Sequence, residues 1–291
     1  MIADESWDVD HYWHEHPEMK RSALAWFTDF VGFVPMADGG AHEAYLSADY
    51  NAEMIKHVET HPQLRDRAIF VGNPRDIVDL SFGEDLPRMR EWIPKHYDFS
   101  GDILGEHPAS FGARAALRAQ LGYRPDEKVC IVTVGGSGVG APIIRRILQA
   151  VPLAGERLPE LRTIVVAGPR IDPASLEVPA GVEVRAFVPD LDRHLAACDL
   201  ALVQGGLTTC MELTAAGTPF LYFPLRHHFE QNFHVAHRLE QYGAGRRMDY
   251  ASAVPEVIAA AMLQALGRPT AFRPVEADGA ARAARMIADL L

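Results

Sequence analysis

The chain has 291 residues, 48% of them hydrophobic, enough for one large or two ordinary domains with real cores. Its 28 Lys and Arg stand against 39 Asp and Glu, a formal charge of −11, which argues against a partner held through a nucleic-acid backbone. A phosphorylated small molecule stays compatible, because local backbone amides can bind an anion inside an acidic protein.

No apolar run reaches the ~18 residues that a membrane span needs. The start of the chain, MIADESWDVDHYW, is acidic and aromatic where an export signal would be basic and then apolar. Cys130, Cys198 and Cys210 form no C-x-x-C pair and read as buried free thiols. A cytoplasmic protein is expected.

In chain order, residues 23–34 (ALAWFTDFVGFV) suit a buried strand and turn, and residues 47–61 a helix with Tyr50, Met54 and Val58 on one face. Residues 68–72 (AIFVG) read as a strand closed by Asn73 and Pro74, residues 87–97 as a short helix, and residues 98–108 as a connector. No opening strand is visible before Ala23. His11, His14 and His16 in HYWHEH match no strong zinc spacing, so a solvated or partly buried surface cluster is expected, as for His227, His228, His234 and His237, of which the first two stay in play as polar contacts. No metal ligand set is assigned.

From Ser110 the alternation becomes regular. A helix over 111–121 precedes an apolar strand at 129–134 (VCIVTV), the glycine loop GGSGVGA, and a helix with Ile143, Ile144, Ile147, Leu148 and Val151 on one side. Strands are expected at 163–167, 182–187, 199–203 and 220–223, and helices at 191–197, from Thr208, at 229–242, 257–266 and 280–291. This pattern predicts a parallel α/β fold. Gly136, Gly138 and Ala141 fit the G-x-G-x-x-A dinucleotide fingerprint, but the next strand ends in Gly168, Pro169 and Arg170, with no acid placed for a ribose.

The stretch 201–232 concentrates the chemistry. Gly205 and Gly206 allow a sharp turn, and Thr208 and Thr209 open a helix whose free N–H groups form an anion site. Thr209-x-x-Glu212 also reads as a capping box, in which Glu212 would only satisfy the helix start.

Gly135-Gly136-Ser137, Phe187-Val188-Pro189, Gly206-Leu207-Thr208-Thr209 to Glu212, Gly217-Thr218-Pro219 and Glu230-Gln231-Asn232, in that order, resemble the donor domain of GT-B glycosyltransferases of the UDP-sugar type, MurG-like and macrolide-type enzymes included. The resemblance implies a complete Rossmann-like donor domain at 109–291 and a partial acceptor-side α/β domain with connector at 1–108. By it the backbone at Val188 meets the nucleobase, Gly206 and Thr209 hold the diphosphate, and Gly136, Ser137 and Thr208 are further donor-binding candidates; Arg170 reads equally as a diphosphate contact or a solvated loop residue. Glu212 takes the ribose hydroxyls, and Glu230 and Gln231 grip the sugar.

The implied reaction moves a hexose from a UDP-sugar to an acceptor hydroxyl on a small molecule, natural product or lipid, inverting and metal-independent. The donor is a substrate and no cofactor is expected. Gln204 and Gly205 depart from the His or other cation that many such enzymes carry beside the phosphates. The glycine–histidine loop that supplies the family's base has no counterpart, so the chain reads as amino-terminally incomplete or dependent on a partner chain. His14 and Asp29 are substitutes without a motif behind them, and no catalytic residue is assigned. A donor-binding subunit and a nucleotide-sugar epimerase of the same architecture are the alternatives.

Overall fold

The structure, a computed structural model, describes residues 1–266 and 268–290. The chain forms two compact units, one of Met1–Leu104 joined by the described residues from Glu276 on, the other of Gly105–Val275.

The first unit contains β1 (Ile2–Asp4), α1 (Trp7–Glu15), β2 (Ala25–Thr28), α2 (Gly40–Thr60), β3 (Arg67–Val71), α3 (Met89–His96) and β4 (Asp98–Gly101). Its four strands run parallel in the order β1-β2-β3-β4. Trp26 and Ile69 are wholly buried in it. Arg65 pins α1 to this core, donating to both Asp10 carboxylate oxygens at 2.7 and 2.6 Å and to the Tyr97 hydroxyl at 2.5 Å.

The second unit follows with α4 (Arg114–Gln120), β5 (Lys128–Thr133), α5 (Ala141–Gly155), β6 (Leu161–Val166), β7 (Val182–Arg185), α6 (Leu191–Ala197), β8 (Leu200–Val203), α7 (Leu207–Ala216), β9 (Phe220–Tyr222), α8 (Ala236–Tyr242), β10 (Arg246–Arg247) and α9 (Pro255–Ala265). Its six parallel strands lie in the order β10-β9-β8-β5-β6-β7, so the winding reverses between β5 and β8. The expected apolar face of α5 is buried, with Ile143, Ile144, Ile147 and Leu148 packed against Val132, Val165 and Leu202. Each such side chain contributes roughly 1.5–3 kcal/mol of hydrophobic stabilisation. Asp199, just before β8, ties the unit's opening together: it accepts from Arg114 and Arg118 at 3.0 Å each and from the Val129 N–H at 2.8 Å.

Several elements differ from expectation. A strand does precede Ala23, and it was illegible because only Ala3 of Ile2–Asp4 is buried. Residues 98–108 are not all connector: β4 is a polar edge strand, in which Ser100 is buried and donates to the Phe70 carbonyl at 3.4 Å. The α2 helix begins seven residues earlier than the periodicity indicates, just after Gly39. Helix α10 (Gly279–Ala288) belongs to the first unit and not to the 109–291 range, because Ala283 packs on Ala25, Phe27 and Ile69.

Candidate functional site

Ligands of open parallel sheets bind beyond the carboxyl ends of the strands where the winding reverses. Here that place lies between β5 and β8, whose last residues, Thr133 and Val203, are register partners. Both strands run into glycine loops, at 135–140 and 205–206.

The first loop is shaped by close backbone approach. Gly135 and Gly138 adopt φ of +71° and +82°. Gly168, after β6, has φ +81°, and a Cβ on it would stand 2.5 Å from the Gly135 carbonyl oxygen. Only glycine fits such a contact. The 168–170 turn therefore lies on the loop, with the Arg170 Cβ 3.1 Å from where a Gly138 Cβ would be. Gly136, Ser137 and Arg170 are thus brought together on an exposed rim, and Arg170 makes no ion pair among the described residues.

The second loop leads into α7. Gly205 turns with φ +101°, and Gly206 is the N-cap, with no side-chain cap. The first helical bond runs from the Cys210 N–H to the Gly206 carbonyl at 3.2 Å. The N–H groups of Leu207, Thr208 and Thr209 have no partner among the described residues. They and the positive end of the helix dipole form an anion site.

The capping-box alternative does not hold. Thr209 is the third helical residue and Glu212 the sixth, so neither can close the box across Gly206. The Glu212 carboxylate makes no hydrogen bond among the described residues and instead lies near Asp192 of α6, both flanking Gly105. Burial, and then the Asp192 charge, push its pKa up to about 7.

Val188 is buried at 5%, yet among the described residues neither its N–H nor its C=O enters a backbone hydrogen bond. Glu230 and Gln231 begin a π-helical turn, Glu230–Val235, that runs straight into α8. Such turns distort the regular ladder and recur at functional sites. Gln231 is buried and its Oε1 accepts the Leu225 N–H at 2.9 Å, while Asn232 donates to the Leu225 and His228 carbonyls at 2.7 and 2.9 Å. Gln231 therefore shapes the loop after β9 whatever else it touches.

Three further residues were given no binding role from the sequence, although Phe187 and Gln204 lie in stretches that it singled out. Phe187 is 75% exposed beside Val188, an unusual position for a large ring. Asp192 is an ordinary first-turn helix acid until α6 sets it against Glu212. Gln204 is 9% exposed, its Oε1 without a hydrogen-bond partner among the described residues and 2.8 Å from where a Gly140 Cβ would be. A groove of about 590 Å³ lined by Arg145, Gln149, Ser175 and Glu177 contains none of these residues.

Residues 129–290 match the model of the glycosyltransferase family 28 C-terminal domain. The chain belongs to this family. Curated family relatives include an uncharacterized glycosyltransferase of Methanosarcina mazei, 35% identical over 46% of this chain and 34% of its own length. One from Methanopyrus kandleri is 29% identical over 66% of this chain and 54% of its own length. The UDP-N-acetylglucosamine--N-acetylmuramyl-(pentapeptide) pyrophosphoryl-undecaprenol N-acetylglucosamine transferase of Frankia casuarinae is 34% identical over 44% of this chain and 34% of its own length.

The chain thus spans from about a third to about half of these relatives. Among solved structures, the calicheamicin glycosyltransferase CalG4 aligns with a TM-score of 0.54 at 18% identity, covering 99% of this chain and 68% of that one. Spinosyn rhamnosyltransferase SpnG does so with 0.54 at 18% over the same shares. The family 28 chain therefore has the GT-B-like α/β fold. Among the described residues no helix is long and apolar enough to cross a membrane.

Proposed function

We propose that the second unit binds a nucleotide-diphosphate sugar, a UDP-sugar in the first instance, and that the protein transfers its hexose to an acceptor hydroxyl with inversion. The observation that carries this reading is the start of α7, which has no side-chain cap and whose first three N–H groups have no partner among the described residues, at the point where the winding reverses. The acceptor oxygen loses its proton to a base and attacks the anomeric carbon. The bond to the diphosphate oxygen breaks, and the diphosphate leaves with the electron pair. Its growing charge meets the Leu207, Thr208 and Thr209 amides, the Thr209 hydroxyl and the α7 dipole, a preorganised set that needs no metal at the phosphates.

Around that centre, the unused N–H and C=O of Val188 suit the polar edge of a base, and the exposed Phe187 ring suits its face. Ionised Glu212 suits the two ribose hydroxyls, and Glu230 with Gln231 the sugar. Arg170 adds a cation near the phosphates. The spinosyn rhamnosyltransferase of similar fold has been solved with thymidine diphosphate, so thymidine donors belong in the test beside uridine ones. Acceptor and partner chain are left to the same experiment.

Purified protein is incubated with UDP- and thymidine-diphosphate sugars, with and without a panel of hydroxylated acceptors, and free nucleotide and sugar products are measured. Glycosylated acceptor with nucleotide release, persisting in chelator, is the expected result. Donor binding without turnover would indicate a donor-binding subunit, and release of an epimerised sugar without acceptor would replace transfer with epimerisation. Failure of every donor to bind would remove the reading.

A further inference from the structure

We propose that His11 of α1 with Glu53 and His57 of α2 forms a divalent transition-metal site, of zinc or nickel type, that clasps the first two helices of the first unit together. One potential ligand atom from each of the three lies within 4.8 Å of the others. Zinc holds nitrogen and oxygen ligands at about 2.0–2.2 Å, which places them roughly 3.4 Å apart, so small rotamer changes of these accessible side chains complete the set. Two imidazoles and a carboxylate leave open positions and favour zinc or nickel over magnesium or calcium, which take oxygen ligands.

The three ligands are available. The side chains of Glu53 and His57, one helical turn apart, make no hydrogen bond or ion pair among the described residues, and His11 pairs with Glu15 at 3.5 Å, its ring centroid 5.4 Å from that of His57. They line a small recess together with Trp7, Asp10, Tyr50 and Met54.

The backing is rigid. His57 stacks on His14 with centroids 5.1 Å apart and an interplanar angle of 9°. The buried His14 donates its Nδ1–H to the Asp10 carbonyl at 2.8 Å, and Arg65 grips the Asp10 carboxylate. Metal-binding histidines depend on such fixed support. The H-x-x-H-x-H run of α1 gave no zinc signal because only its first histidine takes part; the other ligands come from the next helix. The site lies in a different unit from the donor residues and stands or falls independently of them.

Tag-free, chelator-treated full-length protein is titrated with Zn²⁺ by calorimetry and with Co²⁺ by visible absorption. One equivalent should bind, with cobalt bands displaced by zinc and a zinc-dependent rise in Tm. His11→Asn with His57→Asn should weaken binding at least about tenfold and abolish the zinc-dependent Tm rise, and Glu53→Gln should also weaken it, whereas His42→Asn on the same helix should not. These side chains are accessible, and an unchanged Tm without metal shows that the variants fold. No saturable zinc binding, or binding unaltered by the double substitution, would overturn the assignment.

Discussion

Glu212 lies near Asp192 with Gly105 between their carboxylates, and this pairing, not the start of its own helix, is what its side chain meets. Burial and the neighbouring charge lift Glu212 to about pH 7. If the ionised form accepts the ribose hydroxyls, UDP-sugar affinity rises with pH across that value, by up to about tenfold between roughly one unit below and one above. A diphosphate diester does not titrate in this range, so the slope reports the protein. Calorimetry from acidic to alkaline pH should show the rise in the wild type and its absence in Glu212→Gln.

Thr209 occupies the third helical position while Gly206 caps α7. Thr209→Ala should therefore leave Tm nearly unchanged but weaken donor binding by roughly 1–3 kcal/mol, the scale of a hydrogen bond to a charged group. Loss of Tm without loss of affinity would return the residue to a structural role.

Gly168 tolerates no side chain against the Gly135 carbonyl, and its φ of +81° disfavours one as well. Gly168→Ala should displace the 135–138 loop and lower donor affinity while the β5 and β6 core stays protected from hydrogen exchange. Equal affinity in this variant would mean that the loop does not touch the donor.

Glu5, at φ +49° after β1, accepts from the Thr28 hydroxyl at 2.9 Å and the Asp29 N–H at 3.3 Å. Burial first, and then Asp29, raise its pKa to about 7. A carboxyl raised in the folded state stabilises fully below its unfolded value, and that contribution is lost as pH climbs through the folded one. Glu5→Gln should therefore be more stable than wild type above pH ~7, by about 1 kcal/mol after allowance for partial exposure, and no more stable below pH ~4. Urea denaturation at both ends of that range measures it.

Asp199 joins Arg114, Arg118 and the Val129 N–H. Burial alone would raise its pKa, but the Val129 N–H and the two guanidinium groups prevail and hold it below the usual range. Asp199→Ala leaves Arg118, itself 7% exposed, without its anion and should cost about 3–5 kcal/mol of unfolding free energy, read by denaturation.

The second unit was legible because its strands are continuous apolar runs: the sequence placed β5 and β8 within a residue or two, and α6 at its observed bounds. Its glycine loops were legible for the same physical reason that they exist, since close approach and positive φ restrict residue choice. The first unit hid its edges. Ile2–Asp4 buries one side chain, β4 carries Asp98 and Ser100, and α10 pairs with strands far away in sequence. At the site, Gly206, Thr209 and Glu230-Gln231 could be singled out from local pattern. The Glu212–Asp192 and His11–Glu53–His57 groupings could not, because each arises only when separate helices are packed together.

The central claim is that the crevice between β5 and β8 holds a nucleotide-diphosphate sugar on the amides of α7. Titration calorimetry of the full chain with UDP and UDP-sugars, beside the Thr209→Ala/Glu212→Gln double variant, tests it most directly. One donor per chain, bound by the wild type and at least about tenfold more weakly by an equally stable double variant, is the predicted result. A folded wild type that binds no nucleoside diphosphate, or a double variant that binds equally well, would contradict it.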